Sequence, residues 1–189
     1  MKKIDNIWIL VTGFILFFIS YSFDKQTSLI FKATNFALLN VILSFITNFG
    51  VVIAVMLAIP SIMLYKNNKK LMPLLWATSI ASFLLALAVK LAVQRQRPIG
   101  ILLYPFVDII DYSFPSQHSI VVFSLLPMLT KYLPKQKYFW VVFAVLVAFS
   151  RIYFRLHFLS DVVFGAFAGY FIGYYLLNFY EKRNHGKNK

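Results

Sequence analysis

The sequence predicts an all-α integral membrane protein, a bundle of six transmembrane helices with a short interfacial helix after the first span. Three observations predict this. Of the 189 residues 60% are hydrophobic and only 13% charged, whereas roughly a quarter of the residues in a soluble domain are charged. Apolar runs near the length of about twenty residues that a spanning helix needs occupy 6–23, 43–65, 71–94, 118–134, 138–155 and 161–180. Lysine and arginine are unevenly divided between alternate connections. Residues 1–189 therefore read as one membrane-embedded domain, with no room for a separate soluble one.

The first run follows Met1-Lys2-Lys3, a basic start that resembles a secretory signal. Tyr21-Ser22-Phe23 offers no small-x-small cleavage site, so the run is expected to remain as the first span. From Asp24 to Asn40 the apolar residues are interrupted by Lys25, Thr27, Ser28, Lys32 and Asn35, a pattern expected to lie along the interface. The remaining five runs are separated by short polar connections.

Six spans place both termini on one side. Lys2, Lys3, Lys66, Lys69, Lys70, Lys131, Lys135, Lys137, Lys182, Arg183, Lys187 and Lys189 share one set of connections. Lys25, Lys32, Lys90, Arg95, Arg97, Arg151 and Arg155 share the other. Cytoplasmic loops carry the excess, so both termini are expected inside, and the smaller set outside.

The formal net charge of +13 does not read as a nucleic-acid footprint, because the basic residues alternate with spanning runs rather than forming a basic face. No nucleic-acid partner is expected. The chain has no cysteine, which excludes disulfides, thiolate metal ligands and cysteine nucleophiles.

Three polar clusters fall together on the outer side. Lys90 and Arg97 are seven residues apart, about 10 Å along one face of a continuous helix, with Pro98 and Gly100 expected to end it just beyond. Both cations also suit headgroup contacts, and Arg95 reads as a snorkelling or lipid-phosphate residue. Pro115-Ser116-Gln117-His118 opens the fourth helix, where unpaired amides and the dipole favour an anion. Ser116 there is a candidate cap. His118, in the first turn of a membrane helix, is a candidate for proton transfer or ligand binding.

The third cluster runs from Ser150 to Asp161. Arg151 offers bidentate donors to phosphate oxygens, and His157 and Asp161 are spaced so that a carboxylate can hold one ring nitrogen and leave the other free to attack. Ser160 and Asp161 equally suit capping of the sixth helix. Cations around a nucleophilic histidine suit a phosphoryl group. No cluster of metal-ligand type stands out, so neither metal nor cofactor is expected.

The spelling Lys90-x6-Arg97-Pro98, Pro115-Ser116-x-His118 and Ser150-Arg151-x5-His157-x3-Asp161 resembles the type 2 phosphatidic acid phosphatase superfamily of integral membrane lipid phosphatases. The resemblance implies a six-helix bundle and a metal-independent lipid phosphatase acting in two steps through a phosphohistidine. It implies His157 as nucleophile, Asp161 as its orienting partner and His118 as the acid that later activates water. Lys90, Arg97, Ser116, Gln117, Ser150 and Arg151 would hold the phosphate. Gln117 stands where the family usually has glycine, which raises the question of the backbone angle at that position.

Expected substrates are lipid phosphates of the outer leaflet: lipid A 1-phosphate, undecaprenyl diphosphate, phosphatidylglycerophosphate or phosphatidic acid. The expected setting is a bacterial inner membrane with a periplasmic site. In the connection 99–117, Tyr104, Asp108, Asp111 and Tyr112 are candidates for headgroup selection and equally suit an ordinary solvated loop. The alternative is a non-catalytic lipid-phosphate binding or transport protein, which would not need a nucleophile.

Overall fold

The computed structural model describes residues 3–34, 36–98 and 112–185. Lys2, Gly100, Tyr104, Asp108, Asp111, Lys187 and Lys189, named above, lie outside these residues, as does Asn35. All regular structure among the described residues is helical.

Helix α1 covers Lys3–Ser22. The hydroxyls of Ser20 and Ser22 turn back onto the carbonyls of Phe17 and Phe18 (2.7 and 3.1 Å), satisfying themselves within the last turns. Two short helices follow, α2 over Asp24–Ala33 and α3 over Ala37–Thr47, joined through extended backbone at Thr34 and Phe36. They occupy the stretch expected at the interface and extend it to Thr47. The second span thus begins later than the apolar run 43–65 suggested: Asn48 leaves the helical region, and its side-chain oxygen caps α4, Phe49–Ile53, by accepting from the amides of Gly50 and Val51 at 2.9 and 3.4 Å.

Helix α4 continues through a wider π turn, Ala54–Ala58, into α5, Ile59–Asn68. Pro60 has no amide hydrogen to give the carbonyl one turn back, and the widened turn directly before it relieves the broken ladder. Helix α6 spans Met72–Val93 with Pro73 in its first turn, where no amide donor is lost. It ends at Gln94, which takes a left-handed conformation (φ 51°, ψ 35°). Lys90 and Arg97 are therefore not on one continuous helix; the chain turns between them, and Pro98 lies past the actual break.

Helix α7, Gln117–Tyr132, is the centre of the bundle, buried nearly all round from Ser119 to Leu129. It packs with α8, Lys137–Tyr153, and α9, Leu159–His185, and with α6. The core between them is aliphatic: Leu75, Val122, Leu125, Leu129, Val147 and Leu177, closed at one end by Trp140. The closest approach is between α7 and α9. Gly165, Gly169 and Gly173 lie one turn apart and face the carbonyls of Ser116, Ile120 and Ser124, also one turn apart. A methyl group at 165 would come within 2.9 Å of the Ser116 oxygen, and at 169 or 173 it would overlap the Ile120 or Ser124 carbonyl. Small residues at this spacing let membrane helices pack backbone against backbone.

The outward faces carry large apolar side chains such as Phe14, Ile62, Val142 and Tyr175, and Phe14 is 62% exposed. So much apolar surface on all sides is not tolerated in water and suits a hydrocarbon surround. Among the described residues, Phe49–Lys66, Lys69–Val93 and Leu159–Asn184 are long and apolar enough to cross a membrane. The protein is integral to the membrane.

Candidate active site

Three connections meet at one end of the bundle: the turn after α6, the segment leading into α7, and the turn from α8 to α9. Each is placed by a local stop signal. Gln94 turns the chain so that Arg95 and Arg97 point back over the helix ends. Phe154 ends α8, and the left-handed Arg155 (φ 56°) reverses the chain. The amides of Leu156 and His157 then both donate to the Arg151 carbonyl at 3.1 Å, closing a tight turn that fixes His157 over the end of α8.

His157 therefore lies in this turn, before α9 begins. Its Nδ1 is 2.6 Å from the backbone carbonyl of Ser113. A carbonyl only accepts, so Nδ1 carries the hydrogen and Nε2 keeps its lone pair. The Asp161 carboxylate is 3.8 Å from the same Nδ1, too far for a hydrogen bond. The direct His157–Asp161 pair expected from their spacing is thus replaced by a backbone contact. The reason is local: Asp161 occupies the third position of α9, and its Oδ2 accepts the amide of Phe158, just ahead of the helix, at 2.8 Å. That is the carboxylate half of a capping box. Oδ2 also accepts from the Ser113 hydroxyl, while Oδ1 pairs with Arg95 at 2.6 Å.

His157 is buried, and its pKa is held well below the ordinary histidine value. Removal from water is the main cause, followed by the charges of Arg151, Lys90 and Arg97; the Ser113 carbonyl opposes them. These effects favour the neutral imidazole. Arg151, His157 and Arg97 also lie close enough to His118 to act on it electrostatically, so the two histidines and the cations share one neighbourhood.

His118 sits in the first turn of α7. Its ring meets that of Phe49 edge-on at 5.7 Å and hydrogen-bonds the Thr47 backbone. Arg151 reaches the Thr47 hydroxyl at 3.0 Å. Arg97 donates to the Leu156 carbonyl at 2.7 Å, in the turn that carries His157. Lys90, 1% exposed, donates to the Tyr112 carbonyl, at the entry to the Ser113–Ser116 segment. Arg97 and Lys90 thus grip backbone that carries a neighbouring site residue, while Arg151 holds the side chain of Thr47, whose backbone His118 contacts.

The serines are placed differently from expectation. Ser116 stands at the cap position of α7, but its side chain makes no capping bond; it accepts from Ser119 at 2.9 Å, and its amide donates to the Asp161 carbonyl at 3.1 Å. Ser150 spends its hydroxyl on the Val147 carbonyl one turn back at 2.6 Å. Gln117 begins α7 and is not among the residues with positive φ, which are Gln94 and Arg155. The missing glycine therefore costs no backbone strain. The Gln117 Nε2 atom is buried without a hydrogen-bond partner among the described residues, and the first amides of α7 have no intrahelical acceptor.

Arg95, read from the sequence as a lipid contact, instead bridges Asp161 and Asp24 at 2.6 and 2.7 Å, with its guanidinium 4.0 Å over the Phe158 ring. Asp24 and Ser113 were not foreseen as part of the site. Among the described residues, no group of three histidine, cysteine, aspartate or glutamate side chains is arranged to hold a metal ion.

The chain is similar to several known proteins. The Bacitracin transport permease protein BcrC of Bacillus licheniformis is 40% identical over 60 residues, which cover 32% of this chain and 30% of that protein. An undecaprenyl-diphosphatase of Sulfolobus acidocaldarius is 28% identical over 160 residues, 77% of this chain and 74% of that one. In structure, a transmembrane PAP2 type phosphatidylglycerolphosphate phosphatase from Bacillus subtilis superposes with a TM-score of 0.71 at 24% identity, covering 91% of this chain and 96% of its own, which establishes a shared fold. The family model described as PAP2 superfamily matches residues 70–185, the stretch that holds all three clusters, and the chain belongs to that superfamily.

Proposed function

We propose that this protein removes a phosphate group from a membrane lipid phosphate or diphosphate through a phosphohistidine formed on His157. The observation that carries the reading is the neutral, buried His157 with Nδ1 tied to the Ser113 carbonyl and Nε2 left free, under the charges of Arg151, Lys90 and Arg97. Nε2 attacks phosphorus, the bond to the lipid oxygen breaks, and His118 gives that oxygen its proton. Water then attacks the phosphohistidine and loses its proton to His118, releasing inorganic phosphate and restoring both rings. The cations neutralise charge on the transferring group, assisted by the first amides of α7 from Gln117 onward, with the Ser116 side chain at the helix start beside them. Ser150 contributes by holding the last turn of α8 beneath Arg151. No metal enters the scheme.

The topology that goes with this reading is six passes with both termini inside and the site outside, in a bacterial inner membrane, supported by the uneven lysine and arginine distribution. Lys131 pairs with Glu181 at the opposite end of the bundle, so the two polar ends are chemically distinct. Undecaprenyl diphosphate and phosphatidylglycerophosphate are the first substrates to test, since the compared proteins carry those names. Lipid A 1-phosphate and phosphatidic acid share the same chemistry. A non-catalytic binding or transport role would use the cations but not the free Nε2.

The test is phosphate release by purified protein in detergent from these four lipids, with and without EDTA, alongside His157→Ala. Release that survives chelation and stops in His157→Ala is expected, with an acid-labile phosphoenzyme trapped on His157. Release unchanged in His157→Ala, or lost on chelation, overturns the mechanism.

A further inference from the structure

Asp24 belongs to the interfacial helix α2, yet it is buried and its carboxylate is fully engaged at the start of α9. Oδ1 accepts the Ser160 amide at 2.8 Å; Oδ2 accepts the Ser160 hydroxyl at 2.6 Å and Arg95 at 2.7 Å. Arg95 in turn donates to Ser160 Oγ at 2.8 Å and to Asp161 Oδ1 at 2.6 Å. Its other end matters as much: the Arg95 backbone carbonyl receives the Ser113 amide at 2.6 Å. Ser113 then holds His157 through its carbonyl and Asp161 through its hydroxyl. A continuous chain of bonds thus runs from α2 to the reactive ring: Asp24 to Arg95, Arg95 to Ser113 and Asp161, Ser113 to His157.

Charge explains why the chain is stiff. Asp24 and Asp161 are two buried carboxylates sharing one guanidinium, and a planar fork can serve both at once with fixed angles. Stacking of the guanidinium on Phe158, and its position 5.3 Å from the Tyr21 ring, fix its plane. Without Asp24, Arg95 keeps Asp161 but loses the second arm of its fork, so its plane is less fixed and Ser113 loses part of what sets its carbonyl.

We propose that Asp24 and Arg95 are positioning residues of the catalytic centre, acting through Ser113 and Asp161 to fix His157 with Nε2 free, so that docking of the interfacial helix is a condition for catalysis. The proposal rests on the phosphatase reading for its kinetic consequence and on geometry alone for its effect on the ring.

The test uses the full chain in detergent, labelled with ¹⁵N-histidine and assigned with His118→Asn and His185→Asn, together with steady-state kinetics on the lipid phosphates. Asp24→Asn and Arg95→Gln are expected to lower kcat about tenfold to a hundredfold with KM little changed, the cost of a misplaced reacting group. They are also expected to shift the His157 ring resonances away from a single Nδ1-protonated tautomer. Arg95→Lys, which keeps the charge but loses the fork, should recover part of kcat. Glu181→Gln, which breaks an ion pair of the opposite end, should change neither readout. Unmoved His157 resonances in both Asp24→Asn and Arg95→Gln overturn the proposal, as does a kcat loss in Glu181→Gln as large as theirs. If no lipid releases phosphate even with the wild-type chain, the phosphatase reading falls, and the resonances alone decide whether α2 positions His157.

Discussion

The Nδ1 atom of His157 lies 2.6 Å from the backbone carbonyl oxygen of Ser113. The orienting partner of the proposed nucleophile is thus a backbone atom, while the Asp161 carboxylate stands at 3.8 Å and is spent on Arg95, Ser113 and the Phe158 amide. Ser113→Ala keeps the carbonyl and removes only the hydroxyl's bond to the Asp161 carboxylate, so kcat should fall about tenfold to a hundredfold, the scale of one lost hydrogen bond to a charged group. His157→Ala should leave no phosphoenzyme at all. If Ser113→Ala is as inactive as His157→Ala, the hydroxyl rather than the carbonyl sets the ring.

The depressed pKa of His157 predicts an acid limit to stability. The folded state holds the ring neutral while an unfolded chain takes up a proton near pH 6.5, so the unfolded state binds more protons below that value. The contribution is complete above about pH 6.5 and is lost as pH falls towards the lower folded pKa, by at most about 1.4 kcal/mol per pH unit. His157→Gln carries no titrating ring and lacks this part of the acid arm. The difference in unfolding midpoint between wild type and His157→Gln should be constant from pH 8 to 7 and change below 6.5. A difference that stays constant down to pH 5 would refute a neutral buried ring.

The glycine row of α9 predicts a steric effect ordered by position. A methyl group at 173 or 169 overlaps the Ser124 or Ile120 carbonyl, while at 165 it meets the Ser116 oxygen at 2.9 Å. Gly173→Ala and Gly169→Ala should each cost about 1–3 kcal/mol, the range for overpacking a close contact. Gly165→Ala should cost less stability but more activity, because the helix it pushes is the one that begins with Gln117 and His118. Unfolding midpoints and kcat measured on the three variants check this, and equal losses at all three positions would contradict it.

Legibility in the sequence differed by the kind of contact. Lys90, Arg97, His118, Arg151, His157 and Asp161 were readable because charge and imidazole are expensive among apolar runs, and the structure brings them to one end of the bundle. The His157–Asp161 contact was misread because the helical spacing rule holds only inside a helix, and α9 begins two residues after His157. Ser113 was invisible, since a backbone carbonyl leaves no trace in residue type. Asp24 lies 136 residues from Ser160, beyond any local pattern, although a lone acid directly after the first span was a signal. The Gly165-x3-Gly169-x3-Gly173 row went unread, because small residues among apolar ones carry no charge to mark them, although their spacing is that of a helix–helix contact stripe. The break at Asn48 was hidden because apolar residues continue on both sides of it.

Gln117 replaces the family's usual glycine, and its geometry turns that departure into a prediction about substrate rather than about the fold. The residue begins α7 with an unstrained backbone, so Gln117→Gly gains no relief and should not raise kcat. Its Nε2 is buried beside His118 with no hydrogen-bond partner among the described residues, and an unsatisfied amide in such a place costs about 1–3 kcal/mol unless a ligand supplies an acceptor. Under the proposed function a phosphate oxygen of the bound lipid would be such an acceptor. Gln117→Ala and Gln117→Gly should therefore raise KM for the preferred lipid phosphate about threefold to tenfold, the effect of one hydrogen bond, with kcat nearly unchanged and the protein as stable as wild type or slightly more so. The comparison of monophosphate with diphosphate lipids separates two positions for the acceptor: a KM effect confined to diphosphates places it on the second phosphate, and an equal effect places it on the transferring one. A fall in kcat without a KM change would mean that Gln117 does not bind substrate.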